Sequence, residues 1–294
     1  MSILEIKNLS KKFGKFPALK NVDLTVGKGE VYGFIGPNGA GKTTTIRIIL
    51  GIYQATMGEV TVFGKDAWKK SVEIHKNISY VPGDVNLWPN LTGGEVIDLF
   101  MNLRGNGNLM RRDELIEKFQ LDPSKKCRTY SKGNRQKVAL ISALATDSQF
   151  YIFDEPTSGL DPLMESVFHE YVLDLKAQGK SVLLSSHILS EVEKLCDKIA
   201  IIKNGEIIEN GTLDELRHLT RVNIKVQTEK QINQQFLIGT YNLEQDGNFT
   251  SFQVDSDKLG TVISYLATLN IIDLQSLPPS LEELFMTHYK EGDA

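Results

Sequence analysis

Cysteine is nearly missing from this chain of 294 residues: Cys127 and Cys196 stand far apart and fit no metal-ligand spacing. That argues against a disulfide scaffold or a cysteine-built metal centre, and the pair reads as free thiols in a reducing compartment. No apolar run approaches the ~20 residues that cross a bilayer as a helix, so the chain is not expected to span a membrane. The opening Met1-Ser2-Ile3-Leu4-Glu5-Ile6 has neither the basic region nor the long apolar stretch of a signal peptide. Neither sign of charge dominates: 33 basic against 37 acidic side chains give a net −4. A broad basic surface is lacking, so no nucleic-acid partner is expected. No internal repeat or low-complexity segment stands out. What remains, 41% hydrophobic and 24% charged, is enough to bury an ordinary core in one large domain or two smaller ones.

The acidic excess sits at the end. The last 77 residues hold five basic and ten acidic side chains, whereas residues 1–217 are nearly balanced. We therefore expect domains at 1–217 and 218–294, with the amphipathic Leu213-Asp214-Glu215-Leu216-Arg217 closing the first. In that first part, Val31–Ile35, Phe150–Phe153, Ser181–Ser185 and Lys198–Ile202 are near-continuous apolar runs. Strands buried on both faces read this way, and the helical patterns between them predict an α/β fold with a mostly parallel core sheet. Shorter alternating pieces, Leu4–Leu9, Leu19–Val26 and Glu59–Phe63, predict a small antiparallel layer, and residues 86–144 a helical lobe. The second part predicts a small α+β domain. Val222–Val226 and Phe252–Val254 alternate as strands, Leu259, Val262, Ile263, Leu266 and Leu269 recur at helical spacing, and Ser280 with Glu283 makes a capping box.

The strongest motif is Gly36-Pro37-Asn38-Gly39-Ala40-Gly41-Lys42-Thr43, placed between a buried strand ending at Ile35 and a helix through Ile46, Ile49 and Leu50. It fits G-x-x-x-x-G-K-[ST], the loop of P-loop NTPases. Its glycines let backbone N–H groups turn inward around phosphate oxygens, and the helix N-terminus adds partial positive charge. Lys42 is placed to reach the β- and γ-phosphates, the Thr43 hydroxyl to ligand Mg²⁺, and Thr44 completes the cofactor-binding run. A second constellation ends the strand Tyr151-Ile152-Phe153-Asp154-Glu155, at the carboxyl edge where open α/β sheets bind ligands. Asp154 is the second candidate for the metal. Glu155, one residue on, is the candidate base for a water attacking the γ-phosphate. His187 follows the strand Val182–Ser185, 33 residues after Asp154. It reads either as a structural hydrogen-bonder or as a clamp on the γ-phosphate.

The stretch Tyr130-Ser131-Lys132-Gly133-Asn134-Arg135-Gln136 then opens a helix, with Gly133 21 residues before Asp154. This order of motifs over about residues 1–217, continued by Ser158-Gly159-Leu160-Asp161 and His187, resembles the ATP-binding subunit of ABC transporters. The resemblance implies ATP with Mg²⁺, and a head-to-tail dimer, homo- or heteromeric, of nucleotide-binding domains. In such a pair Ser131 and Gly133 of one subunit face the γ-phosphate held by the other. It further implies that Phe13 stacks on adenine, its plainer alternative being a core phenylalanine beside Leu9. A separate polytopic membrane subunit would hold the chain at the cytoplasmic face of the cell membrane. Asn86–Leu91, with Trp88, lies where that contact is made in transporters, its alternative being packing within the helical lobe.

Two departures from the family pattern stand out. Tyr130, Lys132 and Asn134 replace the usual Leu, first Gly and Gln of the signature, a variant similar to that of the drug- and antibiotic-exporter branch. Gly83 stands where the family has a glutamine that touches the metal and the attacking water, with Asp84 beside it as a possible substitute. The tail Leu277-Pro278-Pro279-Ser280-Leu281-Glu282-Glu283-Leu284-Phe285 is also similar to that branch. The expected function is thus ATP hydrolysis powering an exporter. The alternative is a soluble ABC ATPase acting on ribosomes or DNA, and a P-loop GTPase or kinase is disfavoured by the missing guanine signature Asn-Lys-x-Asp and by the presence of the signature helix.

Overall fold

A computed structural model describes residues 1–218, 221–233, 239–255 and 258–277. The chain divides into two compact units, Met1–Asn210 and Gly211–Ala294. The first begins with β1 (Ser2–Phe13), β2 (Phe16–Gly27), β3 (Val31–Ile35), α1 (Lys42–Ile49), β4 (Met57–Val62) and β5 (Lys65–Asp66). Then come α2 (Ser71–His75), β6 (Ile78–Val81), α3 (Gly93–Arg104), α4 (Leu109–Lys118) and α5 (Lys132–Leu144). It closes with β7 (Phe150–Asp154), α6 (Pro162–Ala177), β8 (Ser181–Ser186), α7 (Leu189–Leu195), β9 (Lys198–Lys203) and β10 (Glu206–Thr212).

Two sheets organise this unit. Six strands follow the order β10-β9-β3-β8-β7-β6, and the β9/β3, β3/β8, β8/β7 and β7/β6 pairings are all parallel. Every residue of β3, β7 and β8 is buried, as expected of strands covered on both faces. The second sheet, β2-β1-β4-β5, is antiparallel, and its buried faces share one core with β3 and α1 through Leu4, Ile6, Leu24, Val62, Phe34 and Ile46. The strand β1 alternates less cleanly than its length suggests because its register with β2 shifts several times. Between β6 and β7, the helices α3, α4 and α5 form the expected lobe. Thr92 and Glu95 close a reciprocal capping box at the start of α3.

In the second unit, α8 (Leu213–His218) comes first, followed by β11 (Val222–Thr228), β12 (Thr240–Asp246), β13 (Phe249–Val254), α9 (Leu259–Ala267) and β14 (Ile271–Leu277). The strands form an antiparallel sheet in the order β12-β13-β11-β14. Ile224, Val226, Phe252 and Val254 bury one face together with Val262 and Leu266 of α9. The sequence reading found the two central strands and the helix and missed both edges, β12 and β14, whose polar, exposed residues dilute the alternation. Leu213–Leu216 groups with this unit rather than closing the first. The capping box of Ser280 and Glu283 and the tail from Pro278 to Phe285 lie outside the described residues.

Candidate functional site

The phosphate loop occupies the turn between the buried end of β3 and the first residue of α1. Two glycines make that turn. Gly41 sits at φ 116°, which a side chain rarely tolerates, and a Cβ on Gly36 would lie 2.4 Å from the Ile202 carbonyl oxygen. Lys42 is only 5% exposed. Its ammonium donates to the Gly36 and Pro37 carbonyls at 2.5 and 3.2 Å. Burial pulls its pKa below the ordinary lysine value, and the charges of Glu155 and Asp154 oppose that.

Beside it, β7 delivers its two carboxylates. Asp154 is 3% exposed, and its Oδ2 accepts from the Thr43 hydroxyl at 2.9 Å. The other oxygen, Oδ1, is buried without a hydrogen-bond partner. Burial raises this carboxyl above its ordinary range, with the Thr43 hydrogen bond working against the rise. Glu155 ends the strand at φ 50°, a left-handed conformation that costs a non-glycine residue on the order of 1–3 kcal/mol. Its N–H is anchored to the Ser185 carbonyl at 2.9 Å. Strain of this kind persists where the surroundings fix it, and here it accompanies convergence. Glu155 Oε1 lies 3.6 Å from Lys42 Nζ and 3.5 Å from His187 Nδ1. Residues 42, 155 and 187 meet because β3, β8 and β7 are neighbours and each presents its carboxyl end on the same edge.

A cavity of about 330 Å³ opens over this cluster, lined by the phosphate loop, Lys42, Thr43, Thr44, Glu155, Phe13 and Phe16. Phe13 is 43% exposed and meets Tyr53 edge-on at 5.4 Å, which rules out its alternative as a core residue beside Leu9. Phe16, 66% exposed, is the residue that sequence reasoning missed. Its place three residues after Phe13, across Gly14-Lys15, was the available signal. Ser131 and Gly133 do not line this cavity. Ser131 caps α5 by accepting from the Asn134 N–H at 3.3 Å, and Gly133 packs on Gly159 so closely that a Cβ would stand 2.3 Å from its carbonyl oxygen. Gly83 borders the cluster too: a Cβ there would lie 3.1 Å from the Asp154 carbonyl and 3.6 Å from Glu155 Cβ. Asp84 is exposed and accepts from Asn86 at 3.4 Å.

Trp88, half exposed, has its ring 6.0 Å from Phe100, at the side of an apolar groove of about 280 Å³ that includes Val85, Leu87 and Phe100. Among the described residues no helix is long and apolar enough to cross a membrane.

A sequence profile described as ABC transporter matches residues 19–158. The ABC transporter ATP-binding protein NatA of Bacillus subtilis is 38% identical, over 68% of this chain and 83% of that one. The chain belongs to the ATP-binding subunits of ABC transporters. Other members are similar along nearly all of its length. The linearmycin resistance ATP-binding protein LnrL of Bacillus subtilis is 32% identical over 97% of both chains. The bacitracin transport ATP-binding protein BcrA of Bacillus licheniformis is 32% identical over 84% of this chain and 83% of its own. Among solved structures, an ATP-binding subunit of an ABC transporter superposes with a TM-score of 0.69 at 33% identity, covering 74% of this chain and 93% of that one. A dimeric ATP-binding cassette in a post-hydrolysis state with ADP and Pi gives a TM-score of 0.66 at 28% identity, covering 71% and 98%. The ABC fold and ATP as the family's nucleotide agree with the phosphate loop and its two carboxylates.

Proposed function

We propose that the chain is the ATP-hydrolysing subunit of an exporter, in which two nucleotide-binding domains close head to tail around ATP and part after hydrolysis. The observation that carries this is the convergence of Lys42 and His187 on Glu155, at 3.6 and 3.5 Å, beside the phosphate loop. In this reading Lys42, the loop N–H groups and Thr44 hold the phosphates. Glu155 orients and deprotonates the attacking water, and His187 donates to the γ-phosphate. Phe13 stacks on adenine.

Thr43 and Asp154 fit Mg²⁺: both are oxygen donors, they lie in contact, and the orphaned Asp154 Oδ1 is a buried acceptor in want of a partner. When bound, the ion would neutralise charge on the β- and γ-phosphate oxygens. Ser131 and Gly133, outside the chain's own cavity, serve the nucleotide of a second subunit. The names of LnrL and BcrA favour the exporter branch. The groove beside Trp88 is the proposed seat of a membrane subunit that keeps the chain at the cytoplasmic face of the membrane. The second unit, expected from the sequence at 218–294 and starting at Gly211, is proposed as an accessory domain.

Lys42→Ala tests the reading. MgATP affinity, measured by titration, should fall at least tenfold, and ATP-dependent dimerisation on size exclusion should vanish. An unchanged dissociation constant overturns the assignment. Co-purification with ribosomes or DNA, and with no polytopic membrane protein, would overturn the exporter role alone.

A further inference from the structure

His187 stands on a short link between β8 and α7, and its side chain is half exposed. The residues on either side are held differently. Ser186 is 2% exposed, and its hydroxyl makes two hydrogen bonds that bracket the histidine. It accepts from the Ile188 N–H at 3.0 Å and donates to Glu191 Oε2 at 2.7 Å. Glu191 is a carboxylate with 3% exposure, far below what an acidic side chain tolerates without partners. Its second oxygen, Oε1, lies 3.5 Å from His169 Nε2 of α6, and neither of those atoms has a hydrogen-bond partner.

We propose that Glu191 is a positioning residue for the hydrolytic site, acting on His187 through Ser186, with His169 as its counter-group. The inference rests on the reading of His187 given above. A hydroxyl has one proton. With Glu191 accepting it, the Ser186 oxygen turns a lone pair to the Ile188 N–H, and the peptide units flanking His187 are pinned to one conformation. Without the carboxylate that proton is free to rotate and the bracket loosens. His187 then samples orientations away from Glu155 while the phosphate loop, built on β3 and α1, is untouched. A buried acid kept only for packing would instead affect folding and leave the chemistry of the folded fraction unchanged.

The test uses the full chain with MgATP, measuring kcat and KM for Ser186→Ala, Glu191→Ala and Glu191→Gln, each in the parent and in a His187→Ala background. Glu191→Ala should lower kcat at least tenfold and Ser186→Ala at least fivefold, with KM changed less than twofold. Glu191→Gln, which keeps an acceptor oxygen for the Ser186 hydroxyl, should recover more than half of the loss on a logarithmic scale. In the His187→Ala background each substitution should cost less than twofold, because the group they position is gone. If the losses multiply in that background, or if Ser186→Ala keeps the parental kcat, the proposal is overturned. Should Glu191→Ala fail to fold, Ser186→Ala, which removes a single oxygen, decides alone. A Glu155→Gln control separates the two levels. If it hydrolyses ATP at the parental rate, the site reading falls and takes this inference with it. If it is slow while Ser186→Ala is not, only this inference falls.

Discussion

Glu155→Gln separates binding from chemistry, and the structure fixes the sign of both effects. The substitution keeps the size of the side chain and the strained φ of 50°, so whatever that backbone costs is common to both proteins. What disappears is a negative charge 3.6 Å from Lys42 Nζ. Two unit charges at that distance interact by about 5 kcal/mol at an effective dielectric of 20. Because the Glu155 side chain is 24% exposed, solvent screening cuts this to on the order of 1 kcal/mol. That attraction competes with phosphate for Lys42, and the carboxylate also repels an incoming anion. MgATP should therefore bind about fivefold more tightly to the variant, by the usual ~1.4 kcal/mol per tenfold.

The rate moves the other way: losing a positioned base costs about 10²–10⁴-fold, or roughly 3–5 kcal/mol of barrier. With hydrolysis slowed, ATP accumulates and stabilises the dimer by mass action. Titration with a fluorescent ATP analogue, single-turnover phosphate release and size exclusion with MgATP read the three effects. Hydrolysis as fast as in the parent would show that Glu155 is not the base. Weaker MgATP binding would show that the Lys42–Glu155 contact does not compete with nucleotide.

Gly133→Ala places a Cβ 2.3 Å from the Gly159 carbonyl oxygen and must push the start of α5 off that loop. We expect ATP-dependent dimerisation on size exclusion to weaken at least tenfold while monomer affinity for MgATP stays within twofold; an intact dimer would refute the role given to this segment. Gly83→Gln meets only a 3.1 Å contact at ordinary φ, so it should fold, and kcat should rise severalfold at unchanged KM if the missing side chain limits turnover. An unchanged kcat would show that the gap does not matter. The raised Asp154 carboxyl makes the folded, metal-free chain bind more protons than the unfolded one between the ordinary and the raised pKa. Its stability should therefore fall as pH rises through that window, and Mg²⁺ affinity should rise over the same interval. Thermal unfolding in chelator across an acidic pH series checks this, and Asp154→Asn should flatten the slope.

Much of this was legible because the core strands are short, apolar and bounded. Burial on both faces leaves a continuous hydrophobic run, and such a run ending in Gly36 or in Asp154-Glu155 marks the carboxyl edge where ligands bind. Strand order was not written in the same way. That β8 lies between β3 and β7, and so carries His187 to Glu155, emerges only from the assembled sheet. The edge strands β12 and β14 were illegible for a different reason. An edge position exposes residues that an interior strand would bury, so polar side chains such as Asn242, Glu244 and Gln275 carry no cost and leave no periodic trace. Glu191 was invisible too, since a glutamate on a helix reads as solvated until its neighbours are known.

Lys42, Glu155, Thr43 and Asp154 are already partnered within the chain, and this bears on what ATP binding must accomplish. Lys42 cannot be left bare at 5% exposure, because an unpaired buried ammonium would be strongly destabilising. Two carbonyls and Glu155 therefore occupy it, and Thr43 occupies half of Asp154. These contacts are weaker than those that MgATP offers, since bonds between charged partners are roughly twice as strong as those to neutral carbonyls. Affinity is the difference between the two sets. The same reasoning says that Lys42→Ala removes both sets at once. It should cost the folded chain little, because Pro37 and Glu155, which it leaves behind, border an open cavity where water replaces the ammonium.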